Sequence, residues 1–309
     1  MRGREPSCAA FVPPAPDPSR LAVGITAYHP APGQLTALLD RLPAGVAVLV
    51  FDNGGLPPED RDGLARAGAT ILSDGQKNLG IAAALNRLAD AARAAGADGL
   101  LLLDQDAAPD PALPAALLAA RDRLRAASRA AAVVGPAPAA AAGHKPPARP
   151  PRPGVAPVGP LAPVQFLATS GSLIDLDAFA RVGPFRADFF IDGVELEWCF
   201  RAWARGFGCY LDASVTIPHR VGAGTIRFLG LATPRQPLPR MATYLRNSLY
   251  AWRLPHVPLR WKLAQGLYLP VQAALYWADA GFRPAVLARL GAAARDGLLG
   301  RLGQPRDLP

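Results

Sequence analysis

The stretch Asp98-Gly-Leu-Leu-Leu-Leu-Asp-Gln-Asp106 decides how this chain is read. Four leucines make an apolar run long enough for one buried strand. The run stops abruptly at Asp104, Gln105 and Asp106. Charge at the end of a buried strand is costly unless it is used. In open α/β sheets that end is where ligands sit. Asp104 and Asp106 are two apart, so on an extended chain they share a side. Alternating carboxylates there suit a hard divalent cation and the phosphates it carries. An Asp-rich turn closed by Pro111 is the other reading.

Upstream, residues 21–28 and 46–51 are further apolar runs with the composition of buried strands, and residues 70–72 suggest a third. Residues 33–42 and 78–95 carry apolar side chains at helical spacing, and 57–68 contains a short helix. Downstream, residues 113–127 read as a helix, and Val133-Val134 begins another strand. Strands that are apolar throughout, alternating with helices, predict a mostly parallel sheet covered on both faces. Polar clusters follow three of these strands: Thr26 with Tyr28, Asp52 with Asn53, and Asp104 with Asp106. In a parallel sheet all three lie on one rim, which is the geometry of a nucleotide pocket. Asp52 there can accept from a base or a ribose, although Asp-Asn-Gly is also an ordinary turn.

The chain's 309 residues fit one large α/β domain with an appendage. Its net charge of +9 favours anionic partners without choosing among them. Cys8, Cys199 and Cys209 form no close-spaced motif, which argues against a disulfide framework or structural zinc and makes a reducing compartment the default. Residues 1–19 lack the apolar core of a signal peptide and read as a disordered leader. Residues 263–278 are free of charge, but Pro270 and two glutamines interrupt them and they are short for a membrane span. Residues 136–160 hold nine prolines and predict an extended loop rather than a sheet strand.

Order returns after Val164, with a strand or hairpin turning at Ser170-Gly-Ser172 and a short helix over 176–182. A helix is predicted over 192–205, with Gly206 as its C-cap, followed by short strands at 207–211 and 215–217. Asp192, Glu195 and Glu197 crowd the start of the 192–205 helix. Asp192 and Glu195 are three apart and can share a side, whereas Glu195 and Glu197 cannot. A carboxylate held at a helix start can act as a general base on a hydroxyl; acidic decoration of a helix terminus is the alternative. His219, between Pro218 and Arg220, is a candidate metal ligand, a phosphate contact or a surface residue.

Several chemistries lack their motifs. No Gly-x-Gly-x-x-Gly follows the first strand, no P-loop is present, and no Gly-x-Ser-x-Gly occurs. The basic residues form no compact patch interleaved with aromatics, so nucleic acid is not an expected partner.

Taken in order, Val23-Gly-Ile-Thr-Ala-Tyr28, Val50-Phe-Asp-Asn53, Asn78-Leu-Gly-Ile-Ala82, Leu102-Leu-Asp-Gln-Asp106, Ser170-Gly-Ser172, Phe190-Ile-Asp192 with Glu195-x-Glu-Trp-Cys199 and Arg201, His219-x-x-Gly222 and Tyr244-x-Arg-Asn247 resemble the inverting family 2 glycosyltransferases of the GT-A fold. The nearest subgroup is the bacterial rhamnosyltransferases of cell-surface polysaccharide assembly. The resemblance covers residues 21–253. It implies a GT-A catalytic domain over 20–235, with a Rossmann-like central sheet, and a C-terminal helical appendage over 236–309.

It also implies roles. Thr26, Tyr28, Asp52, Asn78, Gly80, Asp104 and Arg246 are expected on the donor side, with Arg246 at the diphosphate or the acceptor. Asp106 and His219 are the expected ligands of Mg2+ or Mn2+. Glu195 falls at the catalytic base, and Asp192, Glu197 and Trp198 at the acceptor pocket. The subgroup more often has Phe-Ile-Asp-x-Val-Asp here, so Glu195 adds one methylene. The implied partners are a nucleoside-diphosphate sugar, L-rhamnose being the first candidate, and a saccharide or lipid-linked saccharide acceptor. Nucleotidyl transfer and an inactive sugar-nucleotide-binding protein are the competing readings. Aromatic and basic residues in 254–309 suit contact with a membrane surface, which would put the protein in the cytoplasm at the inner face of the plasma membrane.

Overall fold

The computed structural model describes residues 20–75, 77–140, 150–219 and 224–305, with the side chains of Ala140 and His219 outside the described set. The expected leader therefore lies outside it, as do His144, Lys145 and Arg149 of the Pro-rich stretch.

The decisive run forms β4 (Gly99–Asp104), buried until Asp104. It pairs in parallel with β1 (Leu21–Ala27), which pairs in parallel with β2 (Ala47–Asp52), which in turn pairs with β3 (Thr70–Ser73). On its other side β4 meets the antiparallel β7 (Ser172–Asp175), followed by β5 (Ala131–Ala140), β8 (Gly208–His219) and β6 (Leu161–Pro163). The order is β3-β2-β1-β4-β7-β5-β8-β6, with β5 and β8 parallel. This is the mostly parallel α/β sheet that apolar strands alternating with helices predict.

Side-chain alternation explains why these strands are apolar throughout. Leu100 and Leu102 belong to the core on one face, with Leu85 and Leu88 of α3 (Ile81–Ala94). Leu101 and Leu103 belong to the core on the other, with Leu117 and Leu124 of α4 (Leu113–Ala126) and Leu35 and Leu38 of α1 (Gln34–Leu39). Each fully buried leucine contributes about 1.5–3 kcal/mol, so a polar residue on either face of β4 would be expensive. The remaining helices of this region are α2 (Pro58–Arg66), α5 (Leu176–Val182) and α6 (Val194–Ala204).

The Pro-rich stretch needs a correction. Pro136 and Pro138 lie inside β5, whose pairing with β8 runs from Ala131 to Ala140. Residues two apart direct their backbone groups to the same edge, and a strand tolerates missing N–H groups along an edge that is not paired. The pairing of β5 with β7 involves only Val133 and Val134, before the prolines begin. The two short strands expected near 207–217 are also one strand, β8.

The C-terminal part is helical, with α7 (Leu238–Tyr250), α8 (Leu259–Asp279) and α9 (Pro284–Leu299). A hairpin of β9 (Thr225–Phe228) and β10 (Leu231–Pro234) packs on α8. These elements share their own apolar cluster, which includes Ile226, Met241, Leu245, Leu269, Tyr276 and Leu290.

Candidate active site

Strand register assembles the first half of the site. Thr26 lies opposite Asp104 and Ala27 opposite Asp52, so the ends of β1, β2 and β4 lie side by side. The Gln105 side chain clamps the chain leaving β1. It accepts from the Tyr28 N–H at 2.7 Å and donates to the Tyr28 carbonyl at 3.1 Å. The Asp104 N–H donates to Ser170 Oγ at 3.0 Å, which ties the Ser170-Gly-Ser172 turn to the rim. Thr26 Oγ1 is buried without a hydrogen-bond partner among the described residues.

Asp52 is wholly buried. One of its oxygens accepts from the Gly54 N–H at 3.0 Å and the other from Arg61 on α2. Next to it, Asn53 accepts from the Leu79 N–H at 2.8 Å and donates to Asn78 Oδ1 at 3.1 Å. Asn78 Oδ1 also accepts from the Gly80 N–H. Residues 78–80 therefore form a docked turn, and α3 begins only at Ile81. Gly80 has φ +80°, and a Cβ there would lie 2.6 Å from both the ring and the carbonyl oxygen of Phe190. Only glycine fits where this turn meets the next segment.

That next segment supplies the second half of the site. Phe190 and Asp192 both have positive φ, 63° and 65°, which is costly for non-glycine residues. Side chains of α7 hold them. Asn247 Nδ2 lies 2.9 Å from the carbonyl oxygens of Phe189, Ile191 and Asp192. Arg240 pairs with the Asp192 carboxylate at 2.5 Å. Burial pushes the Asp192 carboxyl up, and Arg240 opposes the shift.

Glu195 sits in the first turn of α6, half-buried. Burial pushes its carboxyl up to about 6, against a hydrogen bond from its own backbone N–H. Asp192 and Asp104 push it the same way, and Arg240 opposes them. Glu195, Asp192, Arg240 and Asp104 are therefore close enough to feel one another's charge. The sequence alone gave no signal for Arg240. Gln105 stood inside the quoted motif, but its clamp on Tyr28 was not legible there.

Three of the expected site residues are engaged by partners within the protein. Glu197 is buried on the other side of α6, where it accepts from Arg201 at 2.9 and 3.0 Å and contacts His256 at 2.8 Å. Burial raises its carboxyl, but the hydrogen bonds of His256 and Arg201 outweigh this and hold it below its ordinary value. Trp198 is core, packed on Phe179 and Phe185, with its indole N–H on the Gly183 carbonyl. Arg246 is a brace: it donates to Gly303 O at 2.8 Å, Phe189 O at 3.3 Å and Asn247 Oδ1 at 3.1 Å.

Asp106 is exposed at the rim, beside half-buried Asp104. The His219 side chain lies outside the described residues. Among the described residues, no three His, Cys, Asp or Glu side chains gather into a set that could hold a metal by themselves. Asp104 and Asp106 offer hard oxygen donors. That fits Mg2+ or Mn2+ bound through one or two carboxylates, with phosphate oxygens and water completing the shell.

The comparisons with known proteins fall on this geometry. No family model matches the chain. A structure of GalNAc-T7 with UDP, GalNAc and Mn2+ superposes with a TM-score of 0.53 at 15% identity, covering 80% of this chain and 53% of that one. The chain has the GT-A glycosyltransferase fold. The Staphylococcus aureus protein TarS superposes with a TM-score of 0.50 at 11% identity, covering 91% of this chain and 55% of TarS. In sequence, the chain is related to the dTDP-rhamnosyl transferase RfbF of Shigella flexneri, 25% identical over 138 residues. That match covers 45% of this chain and 47% of RfbF, so it spans about half the length of each.

Proposed function

We propose that this GT-A chain is an inverting, metal-assisted glycosyltransferase. It would move a sugar from a nucleoside-diphosphate donor to a hydroxyl of a saccharide or lipid-linked saccharide. The observation that carries the reading is the approach of half-buried Glu195, with its carboxyl near 6, to Asp104 on the sheet rim. A base with such a pKa is mostly ionised at neutral pH and still takes a proton readily.

Thr26, Tyr28, Asn78 and Gly80 line the nucleotide side in this reading, Asp52 supports that rim from beneath by holding Gly54 and Arg61, and Asp104 holds the sugar. Glu195 removes the proton from the acceptor hydroxyl. The oxygen attacks the anomeric carbon from the face opposite the diphosphate. The bond between that carbon and the diphosphate oxygen breaks, and its electrons leave with the diphosphate. A single displacement inverts the anomeric configuration and leaves no covalent enzyme intermediate. Asp106, with His219, would hold Mg2+ or Mn2+, which when bound neutralises the departing charge. Arg240 positions the acids: it neutralises Asp192 and keeps the Glu195 carboxyl from rising further. Similarity to RfbF makes dTDP-L-rhamnose the first donor to try. Among the described residues no helix is long and apolar enough to cross a membrane.

The test is a panel of sugar nucleotides, assayed with and without Mn2+ for nucleoside-diphosphate release. Product anomeric configuration is read by NMR. Metal-dependent release with inversion supports the proposal. Pyrophosphate release from a nucleoside triphosphate, or retention of configuration, overturns it.

A further inference from the structure

Helix α8 carries apolar side chains on its outer as well as its inner face, where Leu269, Leu275 and Tyr276 are buried. Its inward-facing positions include Gln272, which donates to Thr233 Oγ1 at 3.0 Å, and half-buried Gln265, which accepts from the Tyr244 hydroxyl at 3.1 Å. Its outward face carries Leu259, Leu263, Leu267 and Val271, all exposed, Leu267 by 79%. These four are spaced by four residues and form a row about 18 Å long at 1.5 Å per residue. Residues 260–278 contain no acid, and the cations among them are Arg260 and Lys262. Past the end of α8, Phe282 meets Phe228 of the β9–β10 hairpin edge to face at 6.2 Å. The tip of that hairpin carries Leu229, 86% exposed. Arg227 and Arg283, both exposed, flank these aromatics.

We infer that the outer face of α8, with the adjoining β9–β10 tip, is a docking surface for an anionic lipid monolayer. An exposed apolar row of this length marks an interaction site rather than ordinary surface. Leucines on one side of a helix with cations beside them, and no acid before Asp279, which pairs with Arg235, are the arrangement that lies in the headgroup plane of acidic lipid. A second copy of the chain fits less well, because self-association would bring the same cations against one another on a chain of net charge +9. This partner deepens the reading of a lipid-linked acceptor. Vesicle binding is measured without donor or acceptor, so the two readings fail separately.

The experiment is flotation of the full chain with vesicles of neutral phosphatidylcholine alone or mixed with anionic phosphatidylglycerol. Binding to the mixed vesicles, weakened by high salt, is expected. Leu263→Glu/Leu267→Glu should lower partitioning at least about tenfold, since both apolar side chains leave the acyl boundary and two negative charges face the anionic headgroups. Both side chains are exposed, so an unchanged melting temperature shows that the fold is kept. Arg260→Gln should weaken binding to anionic vesicles alone. Absence of vesicle binding by the wild type, or binding that the double variant does not reduce, overturns the inference. So does a concentration-dependent dimer that the double variant abolishes.

Discussion

The two halves of the site are built by different means. On the proposed donor side, strand register delivers Thr26, Asp52 and Asp104 side by side on regular β1, β2 and β4. On the side of Glu195, residues 190–193, between the 3-10 turn Ala187–Phe189 and α6, are irregular and include two residues in a costly backbone conformation. They keep their shape because Asn247, Arg246 and Arg240 of α7 hold them. The rim is therefore a by-product of the sheet, whereas the segment before Glu195 depends on a separate brace. Positive φ at Phe190 and Asp192 costs on the order of 1–3 kcal/mol each, and the brace must offset it.

Removing the brace should separate the halves. Among the supporting residues the largest effect is expected for Asn247→Ala, which strips one amide from three carbonyls at once. It should lower kcat about a hundredfold and stability by roughly 2–4 kcal/mol, with nucleoside-diphosphate affinity nearly kept. Turnover, calorimetric titration of the diphosphate and denaturant melts check this. Equal loss of affinity and turnover would mean that the halves are one unit.

Gly80→Ala tests the seam between them. Clash with Phe190 and the positive φ should cost about 1–3 kcal/mol and affect both affinity and turnover. Denaturant melts with the same two assays measure it.

The smallest effect is expected for Arg240→Gln. Without this cation, burial and the neighbouring acids raise the Glu195 carboxyl further, so the acidic limb of the rate profile moves to higher pH. Activity should fall up to about tenfold near pH 6.5 and recover toward pH 8. Arg240→Lys should restore the limb. A structural role alone would lower the whole profile without moving it.

The wild-type limb itself should lie near 6, with activity rising as Glu195 ionises. Its effect on stability has the opposite sign. A carboxyl raised on folding stabilises most below its unfolded pKa, and that contribution is lost as pH rises through about 6. Chemical melts between pH 4.5 and 7 would show it.

This contrast also explains what could be read from the sequence. Apolar strands ending in Asp52 and Asp104 identify the sheet and its rim, because period and strand ends are local properties. Glu195 and Glu197 show where local reading stops. Two residues apart on a helix they cannot share a face, yet spacing does not say which face is the core; burial with Arg201 and His256 takes Glu197. Tyr244-x-Arg-Asn247 was legible as a motif but not as a brace, since its partners lie near residues 189, 265 and 303. Arg240 carries no motif, and only the fold brings it to Asp192. Pro136 and Pro138 misled because proline rules out a donor, not a strand.

The central claim is that Glu195 performs the chemistry while the rim binds the donor. The direct measurement is a paired titration and turnover assay of Glu195→Gln with nucleoside diphosphate and the active sugar donor. Diphosphate affinity within about twofold of wild type, with turnover lowered on the order of 10²–10⁴-fold, is the predicted result. Turnover close to wild type in Glu195→Gln would contradict it.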